Sequence, residues 1–116
     1  MIIGIGIDIL EVGRIQKVVE RNARFLDRVF TEGEIQYSQP KKNKYQHLAA
    51  RFAAKEAFFK AIGKRIAWTD VEVVNEPSGQ PRLVVHTKED FGFTQVHLSL
   101  SHVAEHALAI VILEKD

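Results

Sequence analysis

The 116 residues suit one domain, residues 1–116, and a hydrophobic share of 46% is ordinary for a globular chain with a single core. A net charge of +1 excludes a nucleic-acid-type polycation, and the absence of cysteine excludes disulfides, thiolate metal sites and a cysteine nucleophile. No apolar run approaches the ~18 residues of a membrane span, and Asp8 breaks the N-terminal run before it resembles a signal peptide. The expected setting is a reducing cytoplasm with no membrane partner.

Ile2 to Leu10 reads as a strand. Ile3, Ile5, Ile7 and Ile9 face one way, while Ile2, Gly4, Gly6, Asp8 and Leu10 face the other. Glycines inside a strand often mark a close approach to the backbone, so Asp8 is expected to project from an open face. Its other reading is plain: an acid that ends the strand and helps to cap the next helix.

A helix is expected from about Val12 to Val29, with Ile15, Val18, Val19, Phe25, Leu26 and Val29 on its apolar side. Arg14, Lys17, Arg21, Arg24 and Arg28 recur at spacings of 3, 4, 3 and 4, within an arc of roughly 80° on one continuous helix. Such a stripe is either a solvated face or a ridge that docks an acidic partner. Thr31 then starts a second helix, with Glu34 completing a capping box and Phe30 and Ile35 forming a staple. That helix stops before Pro40, and Lys41 to Lys44 form a basic loop.

The organising element is the helix from Leu48 to Ile62, ended by Gly63. Its alanines allow close packing nearly all round, so Glu56 is an acid on a largely buried helix. Two readings compete for it. It forms an ordinary ion pair with Lys60, one turn on, or it is a metal or acid–base carboxylate.

After Gly63 the periodicity changes. Val71 to Val74 and Pro81 to His86 read as a hairpin around Asn75-Glu-Pro-Ser-Gly79. Lys88 to Phe93 is irregular or a short helix. Val96 to Ser101 alternates, and Ala107 to Leu113 is apolar on both faces, as a central strand would be. His102 stands at the mouth of the hairpin they form, where a histidine is either structural or part of a site. The element order predicts an α+β fold, a small antiparallel sheet packed against the alanine-rich helix.

Three motifs in this order resemble the holo-acyl-carrier-protein synthases, the short type in the 4′-phosphopantetheinyl transferase superfamily. They are Gly6-Ile-Asp8-Ile-Leu-Glu11-Val-Gly-Arg14, Arg51-Phe-Ala-Ala-Lys55-Glu56-Ala-Phe-Phe-Lys60-Ala-Ile-Gly63, and Ser99-Leu-Ser-His102 ahead of Ala107-Leu-Ala109. Asn75 to Pro81 is similar to that family's Asn…Gly-Lys-Pro turn, with Gln80 in place of lysine. The likeness lapses at Lys64 and Arg65, where many members carry Thr-Gly, and no site residue is expected there.

The resemblance implies the 4′-phosphopantetheinyl transferase fold and a reaction. Phosphopantetheine moves from coenzyme A to a serine of an apo acyl carrier protein, with Mg²⁺, releasing adenosine 3′,5′-bisphosphate and serving fatty acid biosynthesis. By this analogy Asp8 and Glu56 are the metal ligands, which suits a hard cation that takes few carboxylates. Lys60 neutralises developing phosphate charge. Arg51, Lys55 and His102 bind coenzyme A phosphates, Arg51 and His102 the 3′-phosphate. The general base is Asp8, a water beside it, or Glu11. Arg14, Arg21, Arg24 and Arg28 dock the acidic carrier. The family also implies a homotrimer with sites between subunits. Two other readings stand beside this one: a non-catalytic module binding an acidic protein, and a metal-dependent pyrophosphate hydrolase. Nucleic acid is not an expected partner, because no aromatics interleave the cations of the ridge.

Overall fold

One helix carries the whole core. In the computed structural model, which describes residues 1–116, α4 spans Lys44–Ile62 and ends at Gly63, whose φ of 79° is the left-handed conformation glycine adopts without strain. It starts four residues before the expected Leu48, so Lys44 belongs to the helix rather than to the basic loop. Ala49, Ala53, Ala54, Ala57 and Phe58 are fully buried, so the apolar surface wraps the helix instead of forming one stripe.

β1 (Ile2–Glu11), β5 (His106–Glu114) and β4 (Gln95–His102) form an antiparallel sheet in the order β1-β5-β4. β5 is central, in keeping with its two apolar faces. One sheet face lies on α4 through Ala107, Ala109, Val111 and Leu113, all buried. The opposite face is bare: Ile3, Ile5, Ile7 and Ile9 are exposed, and Ile5, Ile7 and Ile9 stand opposite Ile112, Ile110 and Leu108. β2 (Val71–Asn75) and β3 (Pro81–Val85) form a separate hairpin, joined to α4 by a single 3-10 turn at Trp68–Asp70. Residues 88–93 contain no helix. The architecture is α+β, with an antiparallel sheet and hairpin built on one long helix.

Gly4 and Gly6 do not leave a face open. α4 crosses β1 there, and a Cβ on Gly6 would lie 2.8 Å from the Ala57 carbonyl carbon and 3.0 Å from the Ala61 nitrogen, with the Ala57 oxygen nearer still. The close approach that these glycines permit is that of the protein's own helix.

The single helix expected over residues 12–29 is two: α1 (Val12–Arg21) and α2 (Arg24–Val29). Asn22 is extended (φ −138°, ψ 99°), and its Oδ1 accepts a hydrogen bond from the Arg24 amide, the local alternative to helix that asparagine offers. α3 (Glu32–Ser38) begins with the expected capping box: Thr31 Oγ1 accepts from the Glu34 amide at 3.2 Å, and the Thr31 amide donates to Glu34 Oε1 at 2.9 Å.

Candidate active site

Asp8 lies on the α4 side of β1, opposite Ala109 of β5, with its side chain 17% exposed. Its Oδ1 is 3.2 Å from Lys60 Nζ, which also donates to the Ile7 carbonyl at 2.9 Å. Lys60 therefore reaches across to β1 rather than back along its own helix. The Glu56–Lys60 ion pair, one of the two readings of Glu56, does not form: Lys60 pairs with Asp8 and Glu56 with Arg65.

Glu56, 18% exposed, is gripped by Arg65 instead: Nη1 donates to Oε1 at 3.3 Å and Nη2 to Oε2 at 3.2 Å. Gly63 turns the chain back so that Arg65 lies over the last turns of α4, its guanidinium 5.7 Å from the rings of both Phe59 and Trp68. Trp68 in turn stacks on Phe52 at 4.9 Å and lies 5.2 Å from Phe59. Sequence reasoning placed no site residue at Arg65. The signal was there, in two cations just past a left-handed glycine and nine residues from a semi-buried acid.

Asp8 is thus bonded to the residue one turn beyond Glu56, and the two acids lie at the same end of α4. Both offer hard oxygen donors, and no group of three His, Cys, Asp or Glu surrounds them. A cation taking one or two carboxylates and filling its remaining positions with water and phosphate fits this donor set; one needing an all-protein cage does not.

A second cluster occupies the other half of α4. Arg51 is 2% exposed. Its Nη2 donates to Asn75 Oδ1 at the end of β2, its guanidinium lies 4.4 Å from the Tyr37 ring, and its Nε has no hydrogen-bond partner. With Tyr37, Asn75, Pro77 and Gly79 it lines a cleft of about 410 Å³. His102, exposed at the end of β4, meets Gln46 Oε1 through Nδ1 at 2.8 Å, and its ring is 5.4 Å from that of His47. Burial, followed by the positive charges of Arg51, His102 and Lys41, lowers the His47 pKa from the ordinary 6.5 to about 4. His47 stays neutral chiefly because burial disfavours its charged form, and the neighbouring positive charges add to this. Sequence reasoning passed over His47, although Arg51 stands one helical turn from it; only His102 is distant in the chain.

Five residues separate Arg51 from Glu56, which puts them about 140° apart around α4. Within one chain, the acid pair and the cationic cluster therefore face different sides.

The phosphate role expected for Lys55 does not fit its surroundings. Lys55 is fully buried; its ammonium pairs with Glu34 at 2.7 Å and donates to the carbonyls of Val29 at 2.8 Å and Trp68 at 3.0 Å. All three donors are spent inside the protein. Glu34, also fully buried, accepts in addition from the Val73 amide at 2.9 Å, so the pair ties α3, α4 and β2 together. Arg14, Arg21, Arg24 and Arg28 are exposed, but the break at Asn22 divides them between α1 and α2, and they form no continuous ridge.

With this geometry in place, likeness to known proteins defines the class. The family model described as the 4′-phosphopantetheinyl transferase superfamily matches residues 4–111, and the chain belongs to that superfamily. Within it the chain falls among the holo-acyl-carrier-protein synthases, which are transferases. It is 48% identical over 124 residues to the holo-[acyl-carrier-protein] synthase of Koribacter versatilis, covering 98% of this chain and 99% of the relative. Among solved structures, the holo-(acyl-carrier-protein) synthase of Bacillus anthracis, in complex with CoA (3′,5′-ADP), superposes with a TM-score of 0.87 at 40% identity, covering 100% of this chain and 99% of that one. The Helicobacter pylori enzyme, in complex with coenzyme A, superposes at 0.85 with 32% identity over 95% of this chain and 99% of that one.

Proposed function

We propose that this chain transfers the 4′-phosphopantetheine group of coenzyme A to a serine hydroxyl of an apo acyl carrier protein, in a Mg²⁺-dependent reaction that releases adenosine 3′,5′-bisphosphate. The observation that carries this reading is the convergence of Asp8 and Lys60 beside Glu56 at one end of α4, in a chain whose relatives are holo-[acyl-carrier-protein] synthases.

Asp8 and Glu56 would hold Mg²⁺, whose chemistry is to neutralise the charge of the pyrophosphate and lower the barrier to its cleavage. The carrier serine Oγ forms the new bond to the phosphorus on the pantetheine side, and the bond from that phosphorus to the bridging oxygen breaks. The electron pair leaves on adenosine 3′,5′-bisphosphate. Lys60 Nζ uses two donors on Ile7 and Asp8 and has a third to offer the leaving oxygen. The serine proton goes to Asp8 or to a water held between it and the hydroxyl; Oδ1 of Asp8 also accepts from Lys60.

Arg51, which lines the cleft beside Asn75, and the exposed ring of His102, beside a neutral His47, suit the 3′-phosphate. They face away from the acid pair of their own chain, and a second copy would bring the two clusters together. The bare isoleucine face of β1 and β5 suits that contact, so we assign it to a homotrimer with sites between subunits. The exposed arginines of α1 and α2 meet the acidic carrier.

Mass spectrometry of apo carrier protein incubated with coenzyme A, Mg²⁺ and this protein tests the reading. Addition of one phosphopantetheine to the carrier is the expected result. Cleavage of coenzyme A without carrier would replace the transferase with a hydrolase, and no reaction of either kind would leave a binding module. Asp8→Asn and Glu56→Gln should each abolish transfer with the fold intact.

A further inference from the structure

Both acids assigned to the metal already carry a cation, and the two cations are attached differently. Lys60 is anchored to β1 at two points, the Ile7 carbonyl and Asp8, and covers only Oδ1 of the aspartate. Arg65 hydrogen-bonds to nothing except Glu56, and it spans both oxygens of that carboxylate at 3.3 and 3.2 Å. A divalent ion that approaches Glu56 meets a carboxylate whose two oxygens already accept from a guanidinium, and its charge opposes that guanidinium at close range.

The pair is built to yield. The Arg65 side chain is 66% exposed, so its grip on Glu56 is weakened by solvent, whereas Glu56 itself is mostly covered and has little freedom to turn elsewhere. Once released, the guanidinium has the rings of Phe59 and Trp68 beside it, both 5.7 Å away, as alternative support.

We propose that Arg65 is a displaceable latch on Glu56. In the metal-free protein it satisfies and orients the carboxylate, and a divalent cation binds in competition with it. Arg65 is thus a positioning residue that sets the metal affinity of the site, and this inference rests on the assignment of Asp8 and Glu56 as ligands. A surface ion pair of ordinary strength closes the latch most of the time, which weakens apparent metal binding about two- to sixfold.

The test is equilibrium binding of Mn²⁺ to the full chain without coenzyme A, with free ion followed by electron paramagnetic resonance. Arg65→Met should bind Mn²⁺ about two- to sixfold more tightly than the unaltered protein. Lys64→Met removes the same charge from the next residue, whose partner is Glu89 rather than Glu56. It should change the affinity by no more than about 1.5-fold, because an exposed charge off the carboxylate is screened. Unchanged or weaker binding by Arg65→Met, or equal tightening by both variants, overturns the latch. Glu56→Gln separates the two levels of the argument. If it loses Mn²⁺ while Arg65→Met is unchanged, the latch alone fails; if it binds as the unaltered protein does, the metal assignment fails and the latch with it.

Discussion

Gly6 lies against the main chain of Ala57 so closely that the crossing of β1 and α4 has no room for a side chain at that point. The neighbour is backbone carbonyl, which cannot swing aside. Gly6→Ala should therefore destabilise the protein by about 3 kcal/mol, at the upper end of ordinary overpacking costs. Gly13 is the control: nothing lies within 4 Å of a Cβ there, and it sits in α1. Gly13→Ala should stabilise by about 0.5–1 kcal/mol. Urea denaturation of both variants measures this, and similar midpoints would deny that the close crossing matters.

Lys55→Met leaves Glu34 as an uncompensated charge in the interior and should cost about 3–5 kcal/mol. At temperatures where the variant stays folded, its KM for coenzyme A should be unchanged. A variant of full stability with a raised KM would restore the phosphate role.

The His47 pKa of about 4 against an ordinary 6.5 makes stability depend on acid. The folded state binds fewer protons than the unfolded chain in that interval, so its stability is full above about pH 6.5 and falls as pH drops toward 4. Glu72 adds a second loss at lower pH. Burial opposes its ionisation, but hydrogen bonds from His86 and Thr31 outweigh this and hold its pKa below the ordinary 4.5, so its stabilisation disappears as pH falls through that lowered value. His47→Gln should flatten the stability profile between pH 6.5 and 4 and leave the fall below 4.5 in place. Thermal unfolding across the range separates the two limbs.

Ile7→Lys puts a charge in the middle of the bare sheet face without touching the core. Sedimentation should show the proposed trimer reduced to single chains, with transfer activity lost in proportion. An unchanged sedimentation coefficient would place the subunit contact elsewhere.

Arg24→Glu places an acid in the first turn of α2, where the helix dipole favours it, so stability should hold. KM for the carrier should rise about three- to tenfold at low salt, with KM for coenzyme A unchanged. Because the break at Asn22 separates Arg14 from Arg24, their charge reversals should be additive rather than cooperative. Equal effects on both substrates would remove the docking role.

Local signals in the chain were legible wherever the physics is local. Thr31 and Glu34 spelled their capping box, Gly63 marked the end of α4, and the two-faced apolar pattern of β5 located the centre of the sheet. What covers a face was not legible, because periodicity gives a side chain's direction and not its neighbour. Gly4 and Gly6 suggested space for a ligand and received a helix. Lys55 was expected to bind a phosphate by resemblance alone, but its partner Glu34 is twenty-one residues away and was already explained as a cap. Asn22 stops the helix through a local hydrogen bond of its own side chain, a competition that the regular arginine spacing on either side does not reveal.

Trp68 is the only tryptophan in the chain, and its indole lies 5.7 Å from the guanidinium that grips Glu56. Excitation selective for tryptophan therefore interrogates one indole beside the Glu56 carboxylate. Its emission gives a label-free optical record of whether that cation stays in place as ions and nucleotides are titrated in.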